Sequence, residues 1–311
     1  MKFVTGGFYR SVVGIGRSSL ERFGIGPSGP MDLRACRLNH MLLGNREDEM
    51  VLEMTGPMPT IAFDEAVSCA VTGKPVHILC DGYTIPMYRS FDVRPGSVLT
   101  FGRIGDGGWT YLGIGGGIEG ITRDQIRLKA PTRNPWISFL PDYLCPSSAE
   151  DSPIGVVPGP EWDWFDSRAQ RLFLSQRYGI ASVDRMGYRL EGKPIHTRKP
   201  RELISSPVST GIIQVTGSGQ PIVLMAGRQT VGGYPRIAFV SLADLSRMTQ
   251  TGQGETVRFQ RIGIEEAERA WREETQRLAE LAQILFNQRD RLLFSESVCI
   301  ANRRFFVQIT P

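Results

Sequence analysis

Glycine and proline interrupt this sequence so often that long regular elements cannot dominate its fold. The chain contains 35 glycines and 20 prolines among 311 residues. Short apolar runs bounded by these residues are typical of β-strands in sandwiches and barrels. The runs cover residues 66–71, 98–101, 110–114, 211–215, 222–225, 236–241 and 255–262. Two of them are joined by TGSGQP, which predicts a hairpin. We therefore expect a mainly β fold with a few helices.

Helix-starting residues precede the few segments that read as helical. The predicted helices are 33–43 after Asp32, SRAQRLFL after Asp166, LADLSRMTQ after Ser241, and 264 to about 285. Gly44 and Asn45 end the first helix, and Ser241 with Asp244 resembles a capping box. The longest helix has one apolar face, so we expect it to cover a sheet.

Length and charge limit the number of domains and the class of partner. A chain of 311 residues has room for about two domains. The polar stretch CPSSAEDSP predicts a boundary, which divides the chain into 1–148, 149–290 and an extension at 291–311. The net charge of +4 comes from scattered residues. Nucleic-acid binding needs clustered Lys and Arg, so we do not expect it.

Cysteine and histidine usage argues against a metal site. The five cysteines form no CxxC motif, and the three histidines lie far apart. No apolar run approaches 18 residues and no secretory segment is recognisable, so we expect a reduced cytoplasmic protein without a membrane span. The stretch GIGGGIEG lacks the lysine of a phosphate loop and predicts a tight turn instead.

The second half of the chain concentrates groups that could bind a small polar ligand. The candidates are Arg185, Arg189, Arg228 and Arg236 for a carboxylate, Gln214, Gln220 and Gln229 for an amide, and Gly232 with Gly233 for close backbone approach. They predict one concave wall that a partner polypeptide completes. A glycine turn between strands with surface arginines explains the residues equally well, so both interpretations stay open.

Long motifs in this region resemble a known family. This chain reads DRMGYRL, GQPIVLMA and QTVGGYPRIA, and its first half reads GIGPSGPMD, LEMTGP and YLGIGGGI. These motifs are similar to those of the allophanate hydrolase subunit 2 family, also called the KipI-antagonist family or the 5-oxoprolinase C subunit. The family is similar to part of the carboxyltransferase region of urea carboxylase. The resemblance extends to about residue 280.

The resemblance implies a fold of two β-barrel-like, cyclophilin-like domains and an activity shared between subunits. It implies a KipI or allophanate hydrolase subunit 1-type partner, a further LamB/YcsF-type subunit, and ATP-dependent conversion of 5-oxoproline to glutamate. It also implies that Asp32 and Glu53 are the acids at matching catalytic positions, and that Gln229 and Tyr234 orient the amide. By its position, Asp32 is also a helix N-cap.

The chain departs from the family pattern at positions that bear on activity. Gly227 and Gly14 stand where the family has acids, Val231 replaces a threonine, and the GSRST segment is absent. Three hypotheses follow: an amide hydrolase subunit, a catalytically degraded relative that binds or antagonises a KipI-like partner, and a carboxyltransferase served by a separate biotin carrier.

Overall fold

The computed structural model describes residues 1–7, 9–103, 107–141, 152–199, 203–290, 294–300 and 303–309. Within these ranges the chain forms the four predicted helices among many short strands. The helices are α1 (Leu33–Leu43), α2 (Ser167–Ser175), α3 (Leu245–Gln250) and α4 (Ile264–Asp290). The mainly β prediction is confirmed.

The first half of the chain forms two five-stranded sheets. Its strands are β1 (Lys2–Thr5), β2 (Tyr9–Val13), β3 (Val51–Thr55), β4 (Thr60–Ala62), β5 (Val67–Gly73), β6 (Ile78–Cys80), β7 (Tyr83–Ile85), β8 (Ser90–Val93), β9 (Val98–Phe101), β10 (Thr110–Ile114), β11 (Ile118–Ile121) and β12 (Ile126–Leu128). One sheet has the order β1-β4-β9-β6-β7 and the other β2-β3-β10-β5-β8, while β11 pairs with β12. The side chains of β5 and β10 are buried along their whole length, which places these strands at the centre of this half.

The second half forms a nearly closed barrel. Its strands are β13 (Ile154–Pro158), β14 (Tyr178–Val183), β15 (Gly187–Glu191), β16 (Ser206–Pro207), β17 (Ile212–Val215), β18 (Pro221–Leu224), β19 (Val231–Gly232), β20 (Arg236–Val240), β21 (Thr256–Val257) and β22 (Phe259–Arg261). Eight of them form one sheet in the order β21-β14-β15-β18-β17-β20-β13-β22. The two end strands are neighbours in sequence, so the sheet curls back on itself. The predicted hairpin is confirmed, because β17 and β18 pair antiparallel across TGSGQP.

The two halves share one hydrophobic core. Val13 and Trp109 of the first half are buried in the same cluster as Tyr188 and Ile213 of the barrel. The Trp109 indole nitrogen donates to the Tyr188 hydroxyl at 3.0 Å, and that hydroxyl donates to the Thr249 carbonyl at 2.9 Å. The proposed boundary near residue 148 stays a prediction, but the halves are not independent in packing.

The long helix α4 packs on α1 and also contacts strand β13 of the barrel sheet, so the expectation that it covers a sheet holds in part. Its apolar face buries Leu278, Leu281 and Leu285 in a cluster with Leu38 and Leu42 of α1. α1 in turn lies on β5 and β10. The spacing of its apolar residues predicted the buried face of α4, but not that this face would meet a helix as well as a strand.

The predicted capping box of Ser241 with Asp244 is wrong. Ser241 makes no side-chain cap hydrogen bond. The Asp244 carboxylate instead accepts from the Gly155 amide at 2.9 Å and pairs with Arg247 at 2.6 Å. Asp244 therefore ties the start of α3 to strand β13.

Beyond the barrel, β23 (Phe294–Ile300) and β24 (Arg303–Ile309) pair with each other in an antiparallel hairpin. These strands fall in the segment predicted as an extension. Among the described helices, none combines the length and the apolar character needed to cross a membrane.

Candidate functional site

A buried carboxylate, Glu53, lies where the two halves of the chain meet. Glu53 sits on β3, directly opposite Tyr111 of β10, and none of its side chain is exposed. Its Oε2 atom accepts from the Tyr111 hydroxyl at 2.9 Å and from the Met31 amide at 2.7 Å. Both donors bind Oε2, so Oε1 of Glu53 remains available to accept a hydrogen bond from the barrel side.

Arg185 of the barrel completes the hydrogen bonding of Glu53. Its Nη1 atom donates to Glu53 Oε1, and its Nη2 atom donates to the Gly29 carbonyl. Arg185 follows β14, where the Asp184 carboxylate accepts from the amides of Met186 and Gly187 and fixes a tight turn. The cluster of Glu53, Tyr111, Arg185 and Asp32 is called the interface cluster below.

Asp32 has the role of a helix cap in this cluster. Its carboxylate accepts from the Ala35 amide at 3.0 Å and also from the side chains of Ser246 and Gln250 on α3. Its own amide donates to the Tyr111 hydroxyl at 2.7 Å. Asp32 therefore joins α1 to α3 as well as capping α1, and its catalytic role stays a prediction.

Burial dominates the electrostatics of both acids. Burial raises the pKa of Glu53 above its usual 4.5, and the charge of Arg185 opposes this rise. Burial likewise raises the pKa of Asp32, against hydrogen bonds from Ala35, Gln250 and Ser246. A buried carboxylate stays ionised only when donors and an opposite charge compensate for lost water. Arg185 and the two donors to Glu53 supply that compensation.

Two of the other candidates lie at the two ends of strand β18 rather than together. β18 runs from Pro221 to Leu224, so Gln220 lies at one of its ends and Gly227 beyond the other. Gln220 hydrogen bonds both the amide and the carbonyl of Gly192, at 3.0 Å each. Gly227 donates instead to the Arg185 carbonyl at 2.6 Å. Gln220 and Arg228 thus lie beyond opposite ends of β18, and the expectation of one concave wall stays a prediction.

The amide candidates differ in their access to solvent. Gln214 is buried, donates to the Tyr234 carbonyl at 3.3 Å, and packs against Gly232. Gln229 is exposed, and 49% of Tyr234 is exposed. Gly233 is also exposed. An incoming molecule can thus reach Gln229, Gly233 and Tyr234, and their roles stay predictions.

Like Arg185, which holds Glu53, two further arginine candidates already hold carboxylates. Arg228 is buried and its Nη2 atom is 3.0 Å from Glu21. Arg236 forms a two-pronged pair with Glu161, at 2.8 Å and 2.7 Å. Arg189 is exposed on β15. A ligand carboxylate at Arg228 or Arg236 would have to displace a protein carboxylate, which favours a structural role for both.

Lowering the pH should weaken the pair of Arg236 and Glu161. Burial alone raises the pKa of Glu161, but the hydrogen bonds and charge of Arg236 outweigh it and lower the pKa below the usual 4.5. A lowered folded pKa means that the unfolded state binds the proton first, so stability falls with pH below about 4.5. We expect Glu161→Gln to lower the free energy of unfolding by about 1.5–3 kcal/mol at pH 7. In urea titrations this deficit should shrink as the pH falls below 4.5, and a deficit independent of pH would contradict the assignment.

Several polar residues of this interface were not predicted. Tyr111, Ser246, Gln250 and Tyr188 all contribute hydrogen bonds to it. Tyr111 lies in the all-buried strand TYLGI, and a tyrosine in such a strand needs a partner for its hydroxyl. That signal was readable in the sequence, whereas the partners were not, because they come from distant segments.

Gly227, which stands where relatives were expected to carry an acid, has no room for a side chain. A Cβ atom there would lie 2.8 Å from the Arg185 Cβ and 2.9 Å from the Arg185 carbonyl oxygen. The second such glycine differs, because a Cβ on Gly14 would meet its nearest neighbour, Met50, at 3.7 Å. The two losses of an acid therefore have different structural consequences.

Restoring an acid at each position should separate these two cases. We expect Gly227→Asp to destabilise the protein by about 1–3 kcal/mol, because the Arg185 backbone must move. Gly14→Asp, the matched control, should change stability by less than about 0.5 kcal/mol. Urea unfolding of both variants tests this, and equal effects would contradict the steric argument.

No group of three or more His, Cys, Asp or Glu side chains is placed to hold a metal ion within the described part of the chain.

The glycine stretch after β10 is also occupied by protein atoms. Gly116 lies under the Ala130 carbonyl, and the Glu49 carboxylate lies against Gly117. Glu49 is paired with Lys129 at 2.8 Å, so the lysine beside this turn is already neutralised and the glycines are covered by protein atoms.

Comparisons with known proteins agree with this architecture. The family model described as "Carboxyltransferase domain, subdomain A and B" matches residues 23–122 and 121–261. The chain is 31% identical over 308 residues to the 5-oxoprolinase C subunit of Escherichia coli, covering 93% of this chain and 99% of that protein. It is 31% identical over 272 residues to the protein of the same name from Haemophilus influenzae, covering 81% and 88%.

A solved structure shares the fold. The crystal structure of the Kluyveromyces lactis urea amidolyase superimposes with a TM-score of 0.81 at 24% identity and covers 90% of this chain. The chain spans only 20% of that much longer protein. At this level of identity the likeness concerns the fold alone.

Proposed function

Since the chain belongs to the carboxyltransferase domain A/B family, we propose that it is a subunit of an ATP-dependent, 5-oxoprolinase-like amide hydrolase. In this proposal the enzyme opens the lactam of 5-oxoproline to give glutamate. The chain acts with a KipI or allophanate hydrolase subunit 1-type protein, and a LamB/YcsF-type subunit joins them.

The observation that carries this proposal is the 31% identity with the 5-oxoprolinase C subunit, which extends over 99% of the Escherichia coli protein. Similarity over the full length of a relative supports a shared role better than similarity in one segment does. The interface cluster supports it as well, because its members come from motifs in both halves of the chain.

The chain's own residues would contribute positioned charge to the reaction. Opening an amide requires donors aimed at the oxygen that gains negative charge. Arg185 is the cation of the interface cluster, with 17% of its side chain exposed. Glu53 is fully buried, so it acts as a positioning residue that holds the guanidinium. Gln229 and Tyr234 are exposed and available to orient a substrate or to contact the partner.

ATP binding fits the partner subunits better than this chain. The one glycine stretch that resembles a phosphate loop is filled by Ala130 and Glu49. As part of the proposal, the ATP site lies on the partner subunits.

Reconstitution tests the proposal. We expect the chain, co-expressed with both partner subunits, to release glutamate from 5-oxoproline in the presence of ATP. Per folded, assembled complex, Arg185→Met should lower the rate at least about tenfold, which corresponds to about 1.4 kcal/mol of transition-state stabilisation. Arg258→Met, which changes an exposed arginine of the same barrel, is the matched control. Absence of glutamate release from every purified combination would contradict the proposal.

The packing of Gly227 favours a second candidate function. With the Arg185 backbone filling the space beside Gly227, an acid cannot occupy that position without movement. A catalytically degraded subunit that binds or antagonises a KipI-like partner needs no acid there. This candidate predicts a stable complex, burying more than about 1,000 Å², that persists in Arg185→Met while no combination shows activity. The third hypothesis, a carboxyltransferase, needs a separate biotin carrier and stays a prediction.

A further inference from the structure

A pocket of about 250 Å³ opens between α1 and α4, outside the interface cluster. One wall is the loop of residues 27–31, whose Gly29 carbonyl accepts from Arg185 on its other side. α4 forms the opposite wall, and α3 contributes Leu245 and Ser246. We call this space the α1–α4 pocket.

Most of the pocket surface is apolar and rigid. Pro27 and Pro30 line the loop side, while Trp271 and Leu278 line the side of α4. Proline rings and an indole lose little conformational freedom when a ligand binds. Small-molecule sites commonly combine such walls with a few placed polar groups.

The charged groups of the pocket are two arginines and one glutamate, and each has one buried atom without a hydrogen bond to the described residues. Arg34 and Arg37 lie one turn apart on α1 and both line the pocket, as does Glu274 of α4. Arg34 Nε is 3.0 Å from Glu274 Oε1, yet both buried atoms lack a hydrogen-bond partner among the described residues. The pair is close in space but misaligned for a hydrogen bond.

Arg37 shows the same deficit. Its Nε atom is buried without a hydrogen bond to any described residue, and Glu47 is 3.9 Å away. Unsatisfied buried donors are rare in folded proteins and call for a ligand, an ion or water. Their clustering at one cavity, rather than their presence alone, points to a ligand.

The local charge selects an anion. The charged residues that line the pocket are two cations, Arg34 and Arg37, and one acid, Glu274. The excess of one positive charge matches one carboxylate, which a guanidinium fork can bind through two hydrogen bonds.

We propose that the α1–α4 pocket binds a small monocarboxylate with a compact apolar body. The carboxylate sits between Arg34 and Arg37, and the apolar body lies against Trp271, Leu278 and the two prolines. The site adjoins the interface cluster, because Gly29, Met31 and Ser246 line it and hydrogen bond to Arg185, Glu53 and Asp32. The proposal does not depend on the proposed hydrolase activity.

Calorimetric titration of the full chain, without partner or ATP, tests the ligand class. The probe is cyclohexanecarboxylate, and the matched probe is cyclohexanecarboxamide, which has the same shape without the charge. We expect the carboxylate to bind at least about tenfold more tightly. No measurable binding of the carboxylate at millimolar concentration, or equal binding of the amide, would overturn the proposal.

5-Oxoproline is the third probe, because it has the same charge but a polar lactam body. We expect it to bind at least about tenfold more weakly than cyclohexanecarboxylate, since its amide would face apolar walls. Equal or tighter binding of 5-oxoproline would overturn the ligand class assigned here and make the pocket part of the proposed reaction.

Variants then locate the site. Arg34→Met should weaken binding of cyclohexanecarboxylate at least about tenfold, and Arg37→Met carries the same test if the first variant does not fold. Arg272→Met is the control, because this residue lies on the exposed face of α4 and pairs with Glu268. Unchanged binding in a folded Arg34→Met or Arg37→Met variant would place the ligand elsewhere and overturn the assignment.

Discussion

Arg185→Met is expected to lower the free energy of unfolding by about 3–5 kcal/mol, because it leaves the buried Glu53 charge without its partner. None of the Glu53 side chain is exposed, so water cannot replace the guanidinium without opening the interface between the halves. The measurement is urea unfolding followed by circular dichroism at pH 7.

The pH dependence gives this prediction a second, independent readout. Burial already raises the pKa of Glu53, and removing the Arg185 charge raises it further. A raised folded pKa means that the folded state holds the proton longer, so stability falls as pH rises above the usual 4.5 toward the folded value. The defect of Arg185→Met should therefore be smaller at pH 5 than at pH 8.

A double variant isolates the charge from the lost contacts. In Arg185→Met/Glu53→Gln the buried group is neutral, and the glutamine carbonyl can still accept from Tyr111 or Met31. We expect it to recover at least half of the stability lost in Arg185→Met. Arg258→Met should change stability by less than about 0.5 kcal/mol. A double variant as unstable as Arg185→Met, with no pH dependence, would contradict the role of the buried charge.

The strands were largely predictable from sequence because their signals are local. The run at 110–114 coincides with β10, and the run at 98–101 coincides with β9. The run at 255–262 fails, since it contains two short strands, β21 and β22, at opposite edges of the barrel sheet. Within this run the chain passes from pairing with β14 to pairing with β13. The apolar pattern cannot show this, because both strands bury the same kind of side chain.

The interface cluster was only half predictable, for a different physical reason. Arg185, Glu53 and Asp32 were identified as candidates from the motifs that contain them. Their pairing was not, since Glu53 and Arg185 are 132 positions apart and meet through the packing of two halves. The geometry of the predicted wall could not be read from sequence, because residues close together in the chain, such as Gln220 and Arg228, lie beyond opposite ends of β18.

Gly116→Ala is expected to be among the most damaging single changes in the turn after β10. Gly116 has a φ of 83°, and an added Cβ would overlap the Ala130 carbonyl oxygen. Gly82, in the turn between β6 and β7, has the same φ of 83° but nothing within 4 Å of an added Cβ. The left-handed backbone alone should make Gly82→Ala about 1–2 kcal/mol less stable than the wild type.

The difference between these two alanine variants measures the steric effect by itself. We expect Gly116→Ala to be at least about 2 kcal/mol less stable than Gly82→Ala in urea unfolding, because the Ala130 backbone must be displaced. This outcome supports a turn whose glycines serve close packing of the chain on itself. If the two variants were equally stable, the space over Gly116 would be open, and the argument against a phosphate loop at GIGGGIEG would lose its structural support.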